Sequence, residues 1–259
     1  PTPQHSMNAL AKVAPLKLDR TRQCAPQVFE ALRELIVSVQ LEPGTVLQRA
    51  ELAEHFGISQ TPIRDALLRL GEEQLVDIFP QHATVVSRID LSAALQAHFL
   101  RRAIELEILA TLCKLPDAEH RELTQHLNTN LASQEAALHP LDVSKLALAD
   151  QAFHQEMYEA ARVGPLWNLV RKQSGHVDRL RRLNLPDEGK PQAIVRDHRA
   201  IVDAIASKDA QAAEKALRQP LPGTLAFVDG IKPRFPHWMF FAAPLAARAV
   251  CCFLFRFFS

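Results

Sequence analysis

The stretch that most constrains this chain is ELAEHFGISQTPIRDALLRLGEEQL, residues 51–75. One helix is predicted to end near Gly57, and a second to open at Gln60. The small Ala53 lets two helices approach, and a Gly allows the tight turn between them. This is the layout of a helix-turn-helix, whose second helix is free to lie in a DNA groove. The alternative is a short helical hairpin whose spacing carries no function.

The second helix is predicted to have one buried face and one free face. Its buried stripe is Ile63, Leu67 and Leu70. Ser59 or Thr61 can cap its start, and Pro62 is tolerated in a first helical turn. The outer face is predicted to carry Gln60, Thr61, Arg64 and Arg69.

Composition favours a mostly helical protein of one large or two modest domains. The 259 residues include only 8 Gly, and 6% of them are aromatic. The four Cys form no CxxC pair, so neither a zinc ribbon nor a disulfide framework is indicated. No signal peptide is recognised at the start, which favours a cytoplasmic location.

Charge is distributed in a way that limits DNA affinity. Residues 1–90 carry nine Lys and Arg against eleven Asp and Glu. Phosphate contacts must then come from a local basic face rather than from a general positive field. We expect modest affinity per subunit, so a homodimer and a pseudo-palindromic double-stranded operator are predicted.

The flanks complete a winged helix over residues 26–89, after an arm at 1–25. An amphipathic helix is predicted from Pro26 to Gln40. Two short strands are predicted at 75–79 and 83–87, around Pro80-Gln81-His82. The amphipathic helix, the helix-turn-helix and the hairpin together make a winged helix.

The run PGTVLQRAELAEHFGISQTPIRDALLRL, followed by LVDIFPQHATV, resembles the amino-terminal domain of GntR-family bacterial transcription regulators. The resemblance implies DNA contacts from the start of the second helix and from flanking positions. Those contacts fall on Arg49, Ser59, Gln60, Thr61 and Arg64, with His82 and Gln81 in the wing. The family usually has Gly where Gln74 and Ala83 stand, which questions the turn geometry at both places.

From residue 90 onward the pattern predicts only helices. The first spans Leu91 to Leu115, with a stripe of Leu95, Phe99, Leu106, Leu109 and Cys113. Arg102 falls within that stripe, and an Arg buried there needs an anion. It can pair with Glu105, or it can await a ligand carboxylate, which guanidinium binds through two parallel hydrogen bonds.

Three histidines and one aspartate indicate a metal site. Asp150 and His154 are four residues apart on one helix, a spacing that suits metal ligands and lets the carboxylate orient the imidazole. His176 and His198 lie on the apolar faces of two later helices. Each alone is more often a satisfied core residue, so the metal prediction depends on all of them together.

Residues 90–220 resemble the all-helical FCD domain that follows the head in the FadR branch of the GntR family. The matches are Asp150-x-x-Phe153-His154, the run from His198, and the Arg102–Glu105 helix. The resemblance implies a divalent ion (zinc, nickel or manganese) that helps to hold a small carboxylic acid. The family's last His is missing, because Pro220 and Pro222 stand near its place. The site can be completed by water or effector, can recruit His176, or can be empty.

Arg179 shares its side of a helix with His176 and is the second candidate, after Arg102, for binding the effector carboxylate. The alternative for Arg179 and its neighbours Arg181 and Arg182 is a solvated basic face. The predicted effector and dimerisation domain spans residues 90–222. An apolar tail follows at 223–259, interrupted by Pro244, Arg248 and Arg256 and so a poor membrane span. It can be a docked helix, an interfacial anchor or a terminus altered by a shift in reading frame.

The sequence therefore predicts a regulator, most simply a repressor, whose helical domain binds a carboxylate metabolite. A metal-dependent hydrolase using Asp150, His154 and His198 is the alternative from a different class. No nucleophile–base pair or general acid accompanies those residues, so no enzyme is predicted. A regulator with a degenerate effector site is the third possibility.

Overall fold

The computed structural model describes residues 18–19, 21–80, 82–218 and 228–241. This part is mostly helical with a few short strands, as the sequence predicts. The predictions made for Gln81, for Pro220 and Pro222, and for most of the arm and tail lie outside the described residues. No helix within the described ranges is long and apolar enough to cross a membrane.

The head is a winged helix. Its helices are α1 (Cys24–Val37), α2 (Arg49–Phe56) and α3 (Gln60–Glu72), and its strands are β1 (Val46–Leu47), β2 (Val76–Phe79) and β3 (Ala83–Val86). The three strands form an antiparallel sheet in the order β1-β3-β2. An apolar core joins α1 to the helix-turn-helix and includes Val28, Leu32, Ile36, Leu52, Ile63 and Leu70.

Four described residues of the head have a positive φ, namely Val39, Gly44, Gly57 and Gln74, and two of them follow the helices of the helix-turn-helix. Gly57 lies between α2 and α3, with φ +64°. The other follows α3, where Gln74 adopts φ +58° although it is not a glycine. Ala83 lies in β3 and pairs with Phe79, so this strand needs no left-handed residue there. Replacing the family's Gly therefore preserves both local structures, at the expense of strain at Gln74.

The helical domain follows a short strand, β4 (Ile89–Asp90). The Asp90 side chain accepts hydrogen bonds from the backbone N–H groups of Ser92 and Ala93 and so caps the next helix. The helices are α4 (Leu91–Leu112), α5 (Asp117–Ala136), α6 (Val143–Ala160), α7 (Gly164–Gln173), α8 (Gly175–Asn184), α9 (Lys190–Ala206) and α10 (Ala210–Arg218).

The predicted buried stripe of α4 is wrong by one helical position over its first half. Leu95 is 39% exposed and Phe99 is 63% exposed. The buried face carries Ala94, Ala97, His98, Arg101 and Glu105 in this half of the helix. The buried arginine is therefore Arg101, not Arg102. Hydropathy misplaced the stripe because the buried face is itself polar.

Part of the predicted tail packs onto the fold. Helix α11 (Val228–Ile231) and strand β5 (Met239–Phe240) belong to it. Strand β5 pairs in parallel with β4, and buried residues of this segment join a core with Leu91 and Leu180. The segment 228–241 therefore lies against the junction between head and helical domain.

Candidate functional site

A cavity of about 200 Å³ lies among α4, α6, α8 and α9 of the helical domain; we call it the metal-side cavity. Its walls carry both signs of charge. The cationic residues are Arg101, Arg102, Arg181 and Lys190, and the anionic residues are Glu105, Asp150 and Asp197. His98, His154 and His198 also line it. The cavity is suited to a small anion that needs several donors.

Asp150, His154 and His198 converge in this cavity. Asp150 Oδ1 lies 3.5 Å from His198 Nε2 and 3.9 Å from His154 Nε2. One ligand atom from each residue lies within 4.8 Å of the others. Two imidazoles and one carboxylate are a ligand set typical of zinc and of other divalent transition metals.

The opposite nitrogen of each imidazole is held by a neighbour. His198 Nδ1 lies 2.8 Å from Gln134 Oε1, so it donates there and leaves Nε2 with a free lone pair. His154 Nδ1 lies 3.0 Å from Glu105 Oε1, although the two groups are not well aligned for a hydrogen bond. Such outer partners orient imidazole ligands in metal sites. The three residues therefore fit a divalent ion.

The electrostatics favour the protonation states that a metal needs. Burial lowers the pKa of His198 to about 3, which keeps the imidazole neutral. Burial opposes ionisation of Asp150, but the nearby His154, His198 and Arg101 outweigh it, and the pKa of Asp150 is lowered. A neutral imidazole and an ionised carboxylate are the forms that coordinate metals.

Arg101 and Glu105 form a buried ion pair at the wall of the cavity. Arg101 Nε donates to Glu105 Oε1 at 2.7 Å, and their side chains are 10% and 3% exposed. Burial alone would raise the pKa of Glu105, but Arg101 and His154 hold it far below its usual range. Of the two alternatives left open for Arg102, pairing with Glu105 is not observed, because Arg101 is the partner.

Arg102 and Arg181 are the cavity arginines without an ion pair. Arg102 lies 5.6 Å from the Phe99 ring centre and faces the cavity from its edge. Arg181 makes no hydrogen bond or ion pair among the described residues, although it lines the cavity. From the sequence alone, a solvated basic face is the one environment considered for Arg181, and Arg181 is not proposed as an effector contact. The only available signal was the run of arginines on α8.

Arg179 and His176 lie elsewhere, and both predictions for them are corrected. Arg179 is fully buried and its Nη1 donates to the backbone oxygen of Ser87 at 2.6 Å. His176 Nδ1 accepts from Arg179 Nη2 at 2.9 Å and from the Asp90 N–H at 3.1 Å. Neither residue lines the metal-side cavity. Arg179 and His176 instead join α8 to residues 87–90, which lie between the wing and α4, because this face of α8 points towards that segment.

The predicted DNA-contacting residues share one property, exposure. Arg49, Ser59, Gln60, Thr61, Arg64 and His82 are all exposed. Ser59 is the N-cap residue of α3, but its side chain makes no capping hydrogen bond. Arg69 instead packs over the Phe29 ring, 4.0 Å from its centre, and so belongs to the head's own packing.

Two family descriptions match the chain. Residues 25–86 match "Bacterial regulatory proteins, gntR family", and residues 96–221 match "FCD domain". An HTH-type transcriptional regulator in an unstable DNA locus of Streptomyces ambofaciens is 34% identical, over 81% of this chain and 87% of that protein. The HTH-type transcriptional repressor RspR of Escherichia coli K12 is 27% identical, over 86% and 96%.

Among solved structures, the chain is similar to E. coli McbR/YncC, with a TM-score of 0.68 and 20% identity. That likeness covers 81% of this chain and 98% of the other, and it shows a common fold. Fold and relatives together define a DNA-binding transcriptional regulator rather than an enzyme. The chain belongs to the GntR family and carries an FCD domain.

Proposed function

We propose that this regulator is a repressor whose DNA binding responds to a small carboxylic acid held beside a divalent metal. One observation carries the proposal. Asp150, His154 and His198 converge in a cavity that is also lined by Arg102 and Arg181, which make no ion pair within the described ranges. The residues would hold the metal, and the arginines would hold the acid.

Asp150, His154 and His198 would bind zinc, nickel or manganese through one carboxylate oxygen and two imidazole Nε2 atoms. When bound, the ion supplies an open coordination position that can accept an acid's oxygen. Gln134 holds the His198 imidazole from behind, and Glu105 Oε1 lies 3.0 Å from the corresponding nitrogen, Nδ1, of His154. His176 is not among the proposed metal ligands, because it faces another part of the molecule.

The effector anion would contact guanidinium groups on two helices. Arg181 has no hydrogen bond or ion pair among the described residues, so a carboxylate can pair with it without breaking another contact. Arg102 stands at the cavity edge and would add a second contact. Arg101 is already paired with Glu105, so its guanidinium is not available for two parallel hydrogen bonds to the acid. It contributes positive charge near the cavity instead.

DNA contacts are assigned to the free face of α3. Gln60, Thr61 and Arg64 are exposed there, and Ser59 precedes them. Arg49 and His82 would contact the DNA phosphate backbone or the DNA groove next to the one that α3 occupies. A homodimer would present two such faces to a pseudo-palindromic operator, which compensates for a head that is not basic overall.

Elemental analysis of purified protein tests the metal site. Wild type should retain about one divalent ion per chain, and His198→Ala should lose it, because a two-ligand site binds far more weakly. His126→Ala is the matched control, since His126 is an exposed histidine paired with Glu156. Equal metal content in wild type and His198→Ala would refute the site.

A thermal-shift screen tests the effector. Hydroxy acids, sugar acids and dicarboxylates are added with chelator or with zinc, nickel or manganese. Stabilisation that needs both acid and metal supports the proposal. Stabilisation by no acid under any condition would favour the degenerate-site alternative.

Selection of the operator from random duplexes, followed by mobility shift, tests the head. Arg64→Ala should lose specific binding while the fold is retained. Specific binding retained by this variant would contradict the assignment of α3.

A further inference from the structure

A second cavity of about 90 Å³ adjoins the metal-side cavity; we call it the interdomain cavity. One wall is the end of α1 in the head, and the others come from α4, α6, α7, α8 and α9 of the helical domain. Arg101, Asp150 and Arg181 line both cavities. A thin wall of side chains therefore separates the candidate metal site from the DNA-binding domain.

One side of the interdomain cavity is apolar. Val37, Leu146, Trp167 and Val170 line it and are all buried, with Trp167 only 7% exposed, while charged side chains such as Glu34, Arg171 and Asp178 line other parts of the cavity. An aromatic or aliphatic group placed against the apolar side would be removed from water, which favours its binding. Trp167 also offers a ring face or edge for aromatic packing.

Arg181 lines both cavities. It makes no hydrogen bond or ion pair among the described residues, so a change in its side-chain position would break no such contact there. A ligand carboxylate in the metal-side cavity would draw the Arg181 guanidinium towards itself. The space beside Asp150 and Leu185, which also line both cavities, would then be open to the rest of the ligand.

The head contributes a strained helix end to the interdomain cavity. Val37 and Ser38 line the cavity, and the next residue, Val39, has φ +63°. A β-branched residue in the left-handed region is strained. Such strain is common where a segment changes position on ligand binding.

Resting on the proposed function, we infer that the effector is a monocarboxylic acid bearing a compact apolar group, such as an aromatic ring. The carboxylate lies in the metal-side cavity, and the apolar group lies in the interdomain cavity against Val37 and Ser38. The bound acid then contacts the DNA-binding domain directly. Its preference for one position of α1 sets the size of its effect on DNA binding.

Calorimetry with a series of acids tests this inference on the metal-loaded wild type. Acetate and lactate fit the metal-side cavity alone. Phenylacetate, 3-phenylpropionate and 4-phenylbutyrate place a ring at increasing distances from the carboxylate. At least one of the three should bind about tenfold more tightly than acetate, because the ring buries apolar surface that acetate lacks. Phenyl acids that bind no more tightly than acetate would overturn the inference.

Two matched substitutions separate the cavities. Ala147 lines only the interdomain cavity, and Ala193 lines only the metal-side cavity. Ala147→Leu should weaken binding of the preferred phenyl acid about tenfold and leave lactate within about twofold, since an overfilled cavity disfavours its ligand. Ala193→Leu should weaken both acids. Equal loss of both acids in Ala147→Leu would contradict the inference.

Fluorescence gives a readout that needs no cavity variant. Trp167 and Trp238 are the two tryptophans of the chain, so Trp238→Phe leaves Trp167 as the reporter. The preferred phenyl acid should change its emission, and lactate should not. Unchanged emission on saturation with the phenyl acid would overturn the inference. If no acid binds the metal-loaded wild type, the proposed function itself fails.

Discussion

The head and the helical domain bury different kinds of residue. Around α1 and the helix-turn-helix the core is apolar, and Arg33 is the buried charge there among the described residues. The helical domain buries charges and imidazoles beside its apolar core, among them His98, Arg101, Glu105, His154, Arg179 and His198. The head is built for a defined shape, whereas the helical domain retains groups that a ligand can use.

Stability and function are therefore in conflict in the helical domain rather than in the head. Burying an apolar side chain stabilises the fold directly. Burying a charge stabilises it only when a partner is present, and removal of that partner leaves a large penalty. We therefore expect single substitutions to act by different rules in the two regions.

Glu105→Ala should have the largest effect. It leaves the Arg101 guanidinium buried without its 2.7 Å partner, and unfolding free energy should fall by about 3–5 kcal/mol. Urea denaturation in chelator measures the change without a contribution from metal.

The double variant Arg101→Met/Glu105→Leu is its control. Replacing both members of a buried pair with apolar residues is often neutral or stabilising. A double variant as unstable as Glu105→Ala would mean that packing, rather than the unpaired charge, causes the loss.

Leu32→Ala probes the head by the same measurement. Leu32 is fully buried between α1 and the other head helices, so the cavity should destabilise the head by about 2–5 kcal/mol. Leu68→Ala, at a position 46% exposed on α3, should change stability by less than about 0.5 kcal/mol. Similar losses for the two would contradict the described packing.

Acid should weaken the helical domain through His98. Burial, with Arg181 and Arg101 nearby, lowers the pKa of His98 to about 4. Because the folded pKa lies below the unfolded value, the unfolded chain binds the proton first. Stability should be constant above about pH 6.5 and fall between there and pH 4, by up to about 3 kcal/mol.

Comparison of wild type with His98→Leu, at pH 7.5 and at pH 4.5 in chelator, measures this share of the pH dependence. Burial also lowers the pKa of His176 to about 3, so the variant should flatten the profile only in part. An unchanged profile would show that His98 is protonated in both states or in neither.

The smallest effects are expected at Gly57 and Gln74, the two positive-φ residues that follow the helices of the helix-turn-helix. Gln74→Gly should stabilise the head by about 1 kcal/mol, because glycine adopts φ +58° without strain. Gly57→Ala should destabilise it by a similar amount. A Cβ at Gly57 would meet no atom within 4 Å, so any loss there reports backbone strain alone. Loss of stability in Gln74→Gly would contradict this account.

The sequence predicted the head far better than the cavity. Ile63 and Leu70 follow helical spacing, so the buried face of α3 could be assigned directly. Asp150 and His154 could be paired by their four-residue interval, and the structure brings His198 to them, while metal binding stays a prediction.

The cavity arginines could not be assigned in this way. Successive helical residues point about 100° apart, so an error of one position exchanged Arg101 for Arg102. Arg179, rather than Arg181, was named as the effector contact, because nothing in the local sequence shows which side of α8 meets the cavity. The interdomain cavity depends on Val37 and Leu185 meeting across the fold. No pattern within one helix records such a contact.

The segment from Ser87 to Asp90 is held on several sides: by Arg179, by His176 and by strand β5. These contacts hold the junction in the described position, so a ligand that favours another position of α1 would have to act against them. In a dimer without effector, contacts of this kind would make the distance between the two recognition helices a property of the helical domains. Grafting a foreign head onto this body would then exchange the half-site sequence that is read, while the spacing between half-sites would stay the same.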